Sequence, residues 1–547
     1  MQDQSLARRV ADRIQSNPSA PFLRFLARGE AESGALSYGD MDERGRRVGA
    51  ALLGLGAYQQ RLLLVFEPGV EFVEALAGCL YAGAIAIPAP APRHGATLER
   101  LEGIAAGSRA KLVLTTAALK ARLEAEAAPG SPLAALKLVA MEELDPGAQA
   151  AAYPGLDLDP AAPVLVQYTS GSTLEPRGVV LSSATLSANI ALAVRGIGFG
   201  RGGEGETFVN WMPHYHDMGL IGTLLLPLVM GFETVQMPPL AFVQNPLRWL
   251  KAIDRYRGTS SGGPPFALDL CTRRVSDEAI ASLDLSSWRI AFCGAEPVYT
   301  ATLQAFRNRF ASAGLRRDVL VTVYGMAEVA VYAGGSHGPA EPPEAVPALT
   351  ERAPCYCNEE VLDTIRIVSP DGALVTDGEE GEIWIAGPSV AEGYLDDPEA
   401  TERTFRNRLT PDDGRLYLST GDLGTLGGNV LRITGRMKDV LIRNGVNIAA
   451  RDLERIAAEG KLNPDGAAAF QCEGPGAPIV LLLEAPKAEW DEAARAETER
   501  AVRLAVMNGL GIALDHVAFV PAWSLPRTTS GKIQRARARA AWERQTQ

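Results

Sequence analysis

The stretch VLVQYTSGSTLEPRG, residues 164–178, decides how the chain folds. Four of its first five residues are apolar or aromatic and the run is too short for a helix, so it reads as a buried strand. The strand runs directly into a loop of small and hydroxyl residues, Thr169, Ser170, Gly171, Ser172 and Thr173, followed by Arg177. A strand ending in such a loop is what a doubly wound parallel sheet presents at its ligand-binding edge. Small side chains let backbone N–H groups approach a phosphate, hydroxyls add donors, and a guanidinium adds a fixed, forked charge. The spacing differs from G-x-x-x-x-G-K-S/T, so this is not a Walker A loop. A solvated Ser/Thr turn is the other reading of the same residues.

Working outward, the same texture recurs in RLLLVFE (61–67), KLVLTT (111–116), RIAFCG (289–294) and VLVTVYG (319–325). Amphipathic stretches such as MDERGRRVGAALLGLG (41–56) lie between them. Strands alternating with helices predict parallel sheets covered on both faces. From about residue 364 the pattern changes to short alternating strands, TIRIVSPDG (364–372), GEIWIAG (381–387) and NVLRITG (429–435). The 547 residues exceed what one hydrophobic core organises. The expected architecture is α/β, with a large N-terminal domain (1–436) of doubly wound sheets. It contains a β-rich subdomain at about 364–436 and is followed by a small α+β C-terminal domain (437–547). GGSHGPAEPPEAVP (334–347) reads as a surface loop.

The 53 basic and 65 acidic residues leave a net charge of −12, which argues against nonspecific nucleic-acid binding. The opening MQDQSLARRV carries charge where a signal peptide needs an apolar core. The longest apolar stretch, 75–91, contains two Gly and two Pro and is short for a membrane span. A soluble, cytoplasmic protein is expected. Cys79, Cys271, Cys293, Cys355, Cys357 and Cys472 have no disulfide or zinc spacing and read as reduced structural cysteines.

Three further constellations bear on chemistry. In VYGMAEVAVY (323–332), Glu328 reads either as a charge at a helix start or as a Mg²⁺ ligand, since Mg²⁺ takes one or two carboxylates plus substrate phosphates. In YLSTGDLG (417–424), Asp422 suits either an Asx turn or two ribose hydroxyls, and TGRMKD (434–439) follows with Arg436 and Lys438. LPRTTSGKIQR (525–535) places Lys532 after a glycine in a basic, near-terminal loop that also reads as a solvated tail burying little.

Taken in order, YTSGST, YGMAE, STGDLG, GRMKD and TTSGK resemble the motifs of the adenylate-forming superfamily, which includes acyl-CoA synthetases, peptide-synthetase adenylation domains and luciferases. The resemblance spans essentially the whole chain. GCLYAGAIAIPAPAPR (78–93), NWMPHYHDMGLIG (210–222), NPLRWLKAIDRYRGTSSGGPPFALDLCTRR (245–274) and CGAEPV (293–298) look more specifically like fatty acyl-AMP ligases. That family implies ATP-dependent conversion of a carboxylic acid to an acyl-adenylate with pyrophosphate release. The acyl group then passes to the phosphopantetheine thiol of an acyl carrier protein, or to coenzyme A in related ligases.

The resemblance also implies roles. Thr169, Ser170, Gly171, Ser172, Thr173 and Arg177 would hold the triphosphate. Gly294, Ala295, Glu296, Tyr324, Gly325, Met326 and Ala327 would lie along the nucleotide. Glu328 would bind Mg²⁺, Asp422 and Arg436 the ribose, and Lys532 would bridge the carboxylate and α-phosphate. Lys438 would be the hinge of a mobile C-terminal domain. His216 and Asp217, with Gly262, Gly263 and Pro264, would border the acyl pocket, His216 also counting among the catalytic candidates.

Departures from the family pattern lie at Leu174, where Gly is usual, and at Arg177, where Lys is usual. They continue in a short 324–365 segment, in PCYCN (354–358) and in GGPP (262–265). These leave open an aryl- or acyl-CoA ligase, an adenylation enzyme for a specialised non-fatty acid in natural-product biosynthesis, and a silent binding homologue.

Overall fold

The computed structural model describes residues 4–92, 95–144, 153–169, 176–200, 205–339, 347–443, 446–458, 466–472, 477–485, 491–528 and 531–546. Two seven-stranded sheets carry the larger part of the chain. In the first the order is Leu320–Thr322, Ile290–Cys293, Ser260–Gly263, Thr207–Asn210, Glu233–Gln236, Pro21–Phe25 and Gly34–Ser37. Neighbours are parallel except at the Gly34–Ser37 edge. The second sheet runs Gly393–Tyr394, Gly178–Ser182, Pro163–Tyr168, Ile85–Pro90, Arg61–Phe66, Leu112–Thr115 and Lys137–Ala140. Strands such as Arg61–Phe66 are apolar along their length because helices cover both faces.

A third, antiparallel sheet has the order Cys355–Tyr356, Val430–Arg436, Leu418–Gly427, Glu380–Ile385 and Ile365–Val368. The sequence placed all short strands after 364 in this β-rich part. The short Gly393–Tyr394 strand, which the sequence did not single out, pairs with Gly178–Ser182 of the second sheet, because the chain crosses over between Ile385 and the helix Pro398–Phe405. Cys355, within PCYCN, supplies a strand earlier than the change of texture indicated. Cys355 and Cys357 are buried there and free.

From Val440 the elements pack around cores of their own, formed by a hairpin, a three-stranded sheet and the helices Ala450–Ala457, Glu492–Leu510 and Arg535–Thr546. This C-terminal lobe sits over the edge at which the first sheet's strands end.

The first sheet is backed by a run of aromatic contacts, Trp211 on Phe242, then Trp249, Trp288 and Phe306. Trp249 and Trp288 are fully buried, and their indole N–H groups donate to Ser261 Oγ (2.8 Å) and Ile290 O (2.9 Å). Gly262 lies in this packed layer. A Cβ there would stand 1.9 Å from Phe292 O, and one on Gly263 2.7 Å from the Trp211 ring. Gly262→Ala should therefore destabilise the fold by about 1–3 kcal/mol through overpacking against backbone. Urea unfolding should show a lower midpoint at unchanged slope, and an unchanged midpoint would show that the layer yields freely.

Candidate functional site

Strands of both sheets end on one cleft. Pro163–Tyr168 leads to Thr169, Thr207–Asn210 to Trp211 and His216, Ser260–Gly263 to Pro264, Ile290–Cys293 to Ala295 and Glu296, and Leu320–Thr322 to Tyr324. This is the carboxyl edge at which doubly wound sheets bind ligands. The cleft has a volume of about 1480 Å³ and continues between the sheets and the C-terminal lobe.

At one end, the backbone N–H of Thr169 donates to Arg177 O (2.9 Å) and that of Arg177 to Thr169 Oγ1 (3.3 Å), so the two ends of the Ser/Thr loop are tied together. Ser170, Gly171, Ser172, Thr173 and Leu174 lie outside the described residues. The Arg177 guanidinium sits 5.2 Å from the centre of the Tyr394 ring, and the Tyr394 hydroxyl donates to Glu328 Oε1 (2.9 Å). Glu328 lies in a one-turn helix, Ala327–Val329, held by Ala391 N–H on its carbonyl. Desolvation pushes its carboxyl above the usual glutamate range, against the Tyr394 hydrogen bond. Tyr394 had no signal in the sequence. Only the pairing of Gly393–Tyr394 with Gly178–Ser182 brings it here.

Along the floor, Asp422 and Arg436 are direct partners across the antiparallel register, and Arg436 Nε donates to Asp422 Oδ1 at 2.6 Å. The buried Tyr324 hydroxyl donates to Asp422 Oδ2 at 2.9 Å. The turn before Asp422 is pinned by Glu382, whose Oε1 accepts from Ser419 Oγ (2.5 Å) and Gly421 N–H (2.8 Å). Met326 and Ala327 line the wall with Gly325. Gly325 is required, since a Cβ would fall 1.9 Å from Val331 O. Gly294 stands one layer behind that wall, where a Cβ would meet Val323 O at 2.4 Å, and Gly262 and Gly263 likewise act through packing. Pro264 lines the cleft.

His216 and Asp217 open the apolar end. His216 Nδ1 and Asp217 Oδ1 are 2.7 Å apart, and Asp217 also accepts from Met218 N–H at 2.6 Å. Burial would raise the Asp217 carboxyl, but the imidazole and these hydrogen bonds outweigh it and hold the pKa down. Beyond them an apolar branch runs between π-helical turns at Val194–Gly198 and Met218–Leu225, walled by Ile197, Phe199, Met218, Gly222 and Leu226.

Lys532 comes from the C-terminal lobe and enters this cleft, where its Nζ donates to Ala295 O at 2.5 Å. Ala295 is held at φ +67°, a strained conformation for a residue with a Cβ. The sequence reading of a solvated tail is therefore corrected. Thr528 N–H donates to Lys532 O (2.7 Å) and Lys532 N–H to Thr528 Oγ1 (3.0 Å). Arg527 makes a two-pronged pair with Glu484 (2.8 and 2.7 Å), and Arg535 does so with the buried Glu454 (2.7 and 2.7 Å). Arginines that looked like tail charge are anchors. Lys438 lies in the turn Met437–Asp439, at the lobe's entry and on the cleft wall.

Desolvation pulls the Lys532 ammonium below the ordinary lysine pKa, against the nearby carboxylate of Glu296. The group then loses its proton at lower pH than free lysine, and any rate that needs the cation falls as pH rises through that value. The alkaline limb of kcat/KM for ATP-dependent acid activation should lie below the usual lysine range and move upward in Lys532→Arg. Lys532→Ala should lower the rate about 10²–10³-fold, as for a lost electrostatic donor. An unaltered limb in Lys532→Arg would remove Lys532 from the reaction.

Residues 10–395 match the family model for AMP-binding enzymes. The chain is 34% identical to the medium-chain-fatty-acid–acyl-carrier-protein ligase JamA of Moorena producens (strain JHB), over 94% of this chain and 91% of the relative. It is 30% identical to the long-chain-fatty-acid–AMP ligase FadD23 of Mycobacterium tuberculosis (strain CDC 1551 / Oshkosh), over 97% and 95% of the two chains. A solved structure from a study of fatty acyl-adenylate ligases of E. coli and L. pneumophila superposes with a TM-score of 0.84 at 29% identity, covering 99% of this chain and 98% of that one. A cleft at the carboxyl edge of two sheets, closed by a lysine from a C-terminal lobe, and a family match over most of the chain agree: this protein belongs to the AMP-binding enzyme family.

Proposed function

We propose that this protein converts a fatty acid and ATP to an acyl-adenylate and pyrophosphate, then passes the acyl group to the phosphopantetheine thiol of an acyl carrier protein. The observation that carries the reading is the Lys532 ammonium resting on Ala295 O in a cleft shared by Glu328, by the Asp422–Arg436 pair and by an apolar branch. The acid's carboxylate attacks the α-phosphorus, and the bond to the β-phosphate oxygen breaks. Two anions must meet for this, so Lys532 lies where it can hold the carboxylate against the α-phosphate and offset the charge building there. The second step breaks the acyl carbon–oxygen bond of the mixed anhydride, with AMP leaving and the thiol proton lost.

Asp422 and Arg436 suit the ribose hydroxyls, and Thr169 and Arg177, at the two ends of the Ser/Thr loop, suit the triphosphate. The wall from Ala295 and Glu296 to Tyr324, Gly325, Met326 and Ala327, with Gly294 packed behind it, suits the base. Glu328 supplies a carboxylate at the phosphate end. Among the described residues no cluster of three or more His, Cys, Asp or Glu side chains could hold a metal by itself. One carboxylate plus phosphate oxygens is the donor set Mg²⁺ takes, and bound there it would neutralise phosphate charge.

The apolar branch beyond His216 and Asp217 suits an alkyl chain, which supports a fatty acid over an amino acid. A two-domain division at 436/437, with Lys438 in the joining turn, suits rotation of the C-terminal lobe to admit the pantetheine arm. Dependence on ATP favours the cytoplasm. No helix among the described residues is long and apolar enough to cross a membrane.

Pyrophosphate release should appear with medium- to long-chain fatty acids and not with amino acids. Acyl transfer should be faster to a phosphopantetheinylated carrier protein than to coenzyme A. Equal or preferred use of coenzyme A would reassign the protein as an acyl-CoA ligase, and turnover with aromatic acids alone would replace the fatty substrate.

A further inference from the structure

The residues just after the Lys532 acceptor form a second meeting point between the sheets and the C-terminal lobe. Tyr299, four positions beyond Ala295, is buried with its ring between two guanidiniums. Arg352 stands 4.5 Å from the ring centre and Arg455 4.2 Å. The Tyr299 hydroxyl donates to Asp452 Oδ1 (2.9 Å), and Arg352 Nη1 donates to the same oxygen (2.5 Å).

One side of this contact is held within the large domain. Tyr299 and Arg352 pair as an isolated β-bridge, with Ala353 N–H on Val298 O and Thr300 N–H on Glu351 O. Arg352 is also held by Ile433 O (3.1 Å) and Thr434 O (2.7 Å). The other side is the helix Ala450–Ala457 of the C-terminal lobe. Asp452 and Arg455 lie three residues apart, hence on one face, and clasp the phenol and the ring. Arg455 adds hydrogen bonds to Leu349 O (2.8 Å) and Thr302 Oγ1 (3.3 Å).

The same helix turns Glu454 the other way, into the lobe, where it takes both prongs of Arg535, three residues after Lys532. The contacts therefore close a circuit. Ala295 and Tyr299 are one segment, Tyr299 fixes the helix through Asp452 and Arg455, and the helix fixes Lys532 through Glu454 and Arg535.

We infer that Tyr299, Arg352, Asp452 and Arg455 form an interlobe latch that positions Lys532 for adenylate formation and must release before thioester formation. The four residues are positioning residues, and Arg352 also lines the cleft. The lobe's side of the latch consists of two charged groups, Asp452 and Arg455, which can return to water when the lobe turns, and this suits an interface that must open in every cycle.

This inference rests on the adenylation reading, and its test separates the two. Wild-type ATP–pyrophosphate exchange with a fatty acid tests the reading itself. Asp452→Asn keeps the shape of the latch and removes its charge, and Tyr299→Phe removes only the hydroxyl. Each should slow pyrophosphate exchange about tenfold in kcat with little change in KM for ATP. Each should leave acyl transfer from presynthesised decanoyl-adenylate to a phosphopantetheinylated carrier protein equal to wild type or faster. Hydrogen exchange, which needs no turnover, should show lost protection confined to residues 349–353 and 450–457. Equal slowing of both half-reactions, or unchanged exchange and unchanged protection, would overturn the latch.

Discussion

The account depends on a single long-range contact, the hydrogen bond from Lys532 Nζ to Ala295 O. It joins a residue fifteen positions from the C-terminus to a strained turn at the edge of the first sheet. An ammonium is costly to hold in a narrow cleft unless acceptors and anions surround it. Here Ala295 supplies the acceptor, and Glu296, Asp217 and Asp422 supply the opposing charge. In the proposed reaction the cation would stand between a carboxylate and a phosphate that otherwise repel each other. The turn at Ala295, the packing of Gly294 against Val323 and the anchoring of Arg527 and Arg535 all serve to keep that geometry.

Much of this could be read from residue order. Apolar runs ending in small residues located Pro163–Tyr168, Ile290–Cys293 and Leu320–Thr322, because a strand buried on both faces leaves a continuous apolar signature. The motif residues Tyr324, Glu328, Asp422 and Arg436 do meet in space, as their order promised. Three things were not readable. Tyr394 reaches Glu328 only through a two-residue strand whose pairing leaves no periodicity. The basic tail gave no sign that Arg527 and Arg535 face carboxylates 43 and 81 positions away. Tyr299, Arg352 and Asp452 are individually unremarkable residues whose meaning exists only across the lobe boundary.

The two ends of the cleft follow different physics. The end proposed for the phosphates is built from backbone and charge, and its small residues are dictated by close approach, as at Gly325 against Val331. The end proposed for the acyl chain is built from apolar side chains at irregular helical turns, where shape rather than hydrogen bonding would select. Departures from the family pattern fall in both, but GGPP is explained by packing, since Gly262 and Gly263 sit against Phe292 and Trp211. On the proposed reading, the nucleotide chemistry and the choice of acid are separable properties of one cleft.

The most direct test follows an oxygen atom. A fatty acid labelled with ¹⁸O in its carboxylate, turned over once with ATP and a carrier-protein thiol, should deliver one label to the phosphate of AMP. That result requires carboxylate attack at the α-phosphorus and later cleavage of the acyl carbon–oxygen bond. Label in pyrophosphate beside unlabelled AMP, or in inorganic phosphate beside ADP, would place the attack at the β- or γ-phosphorus and contradict the account.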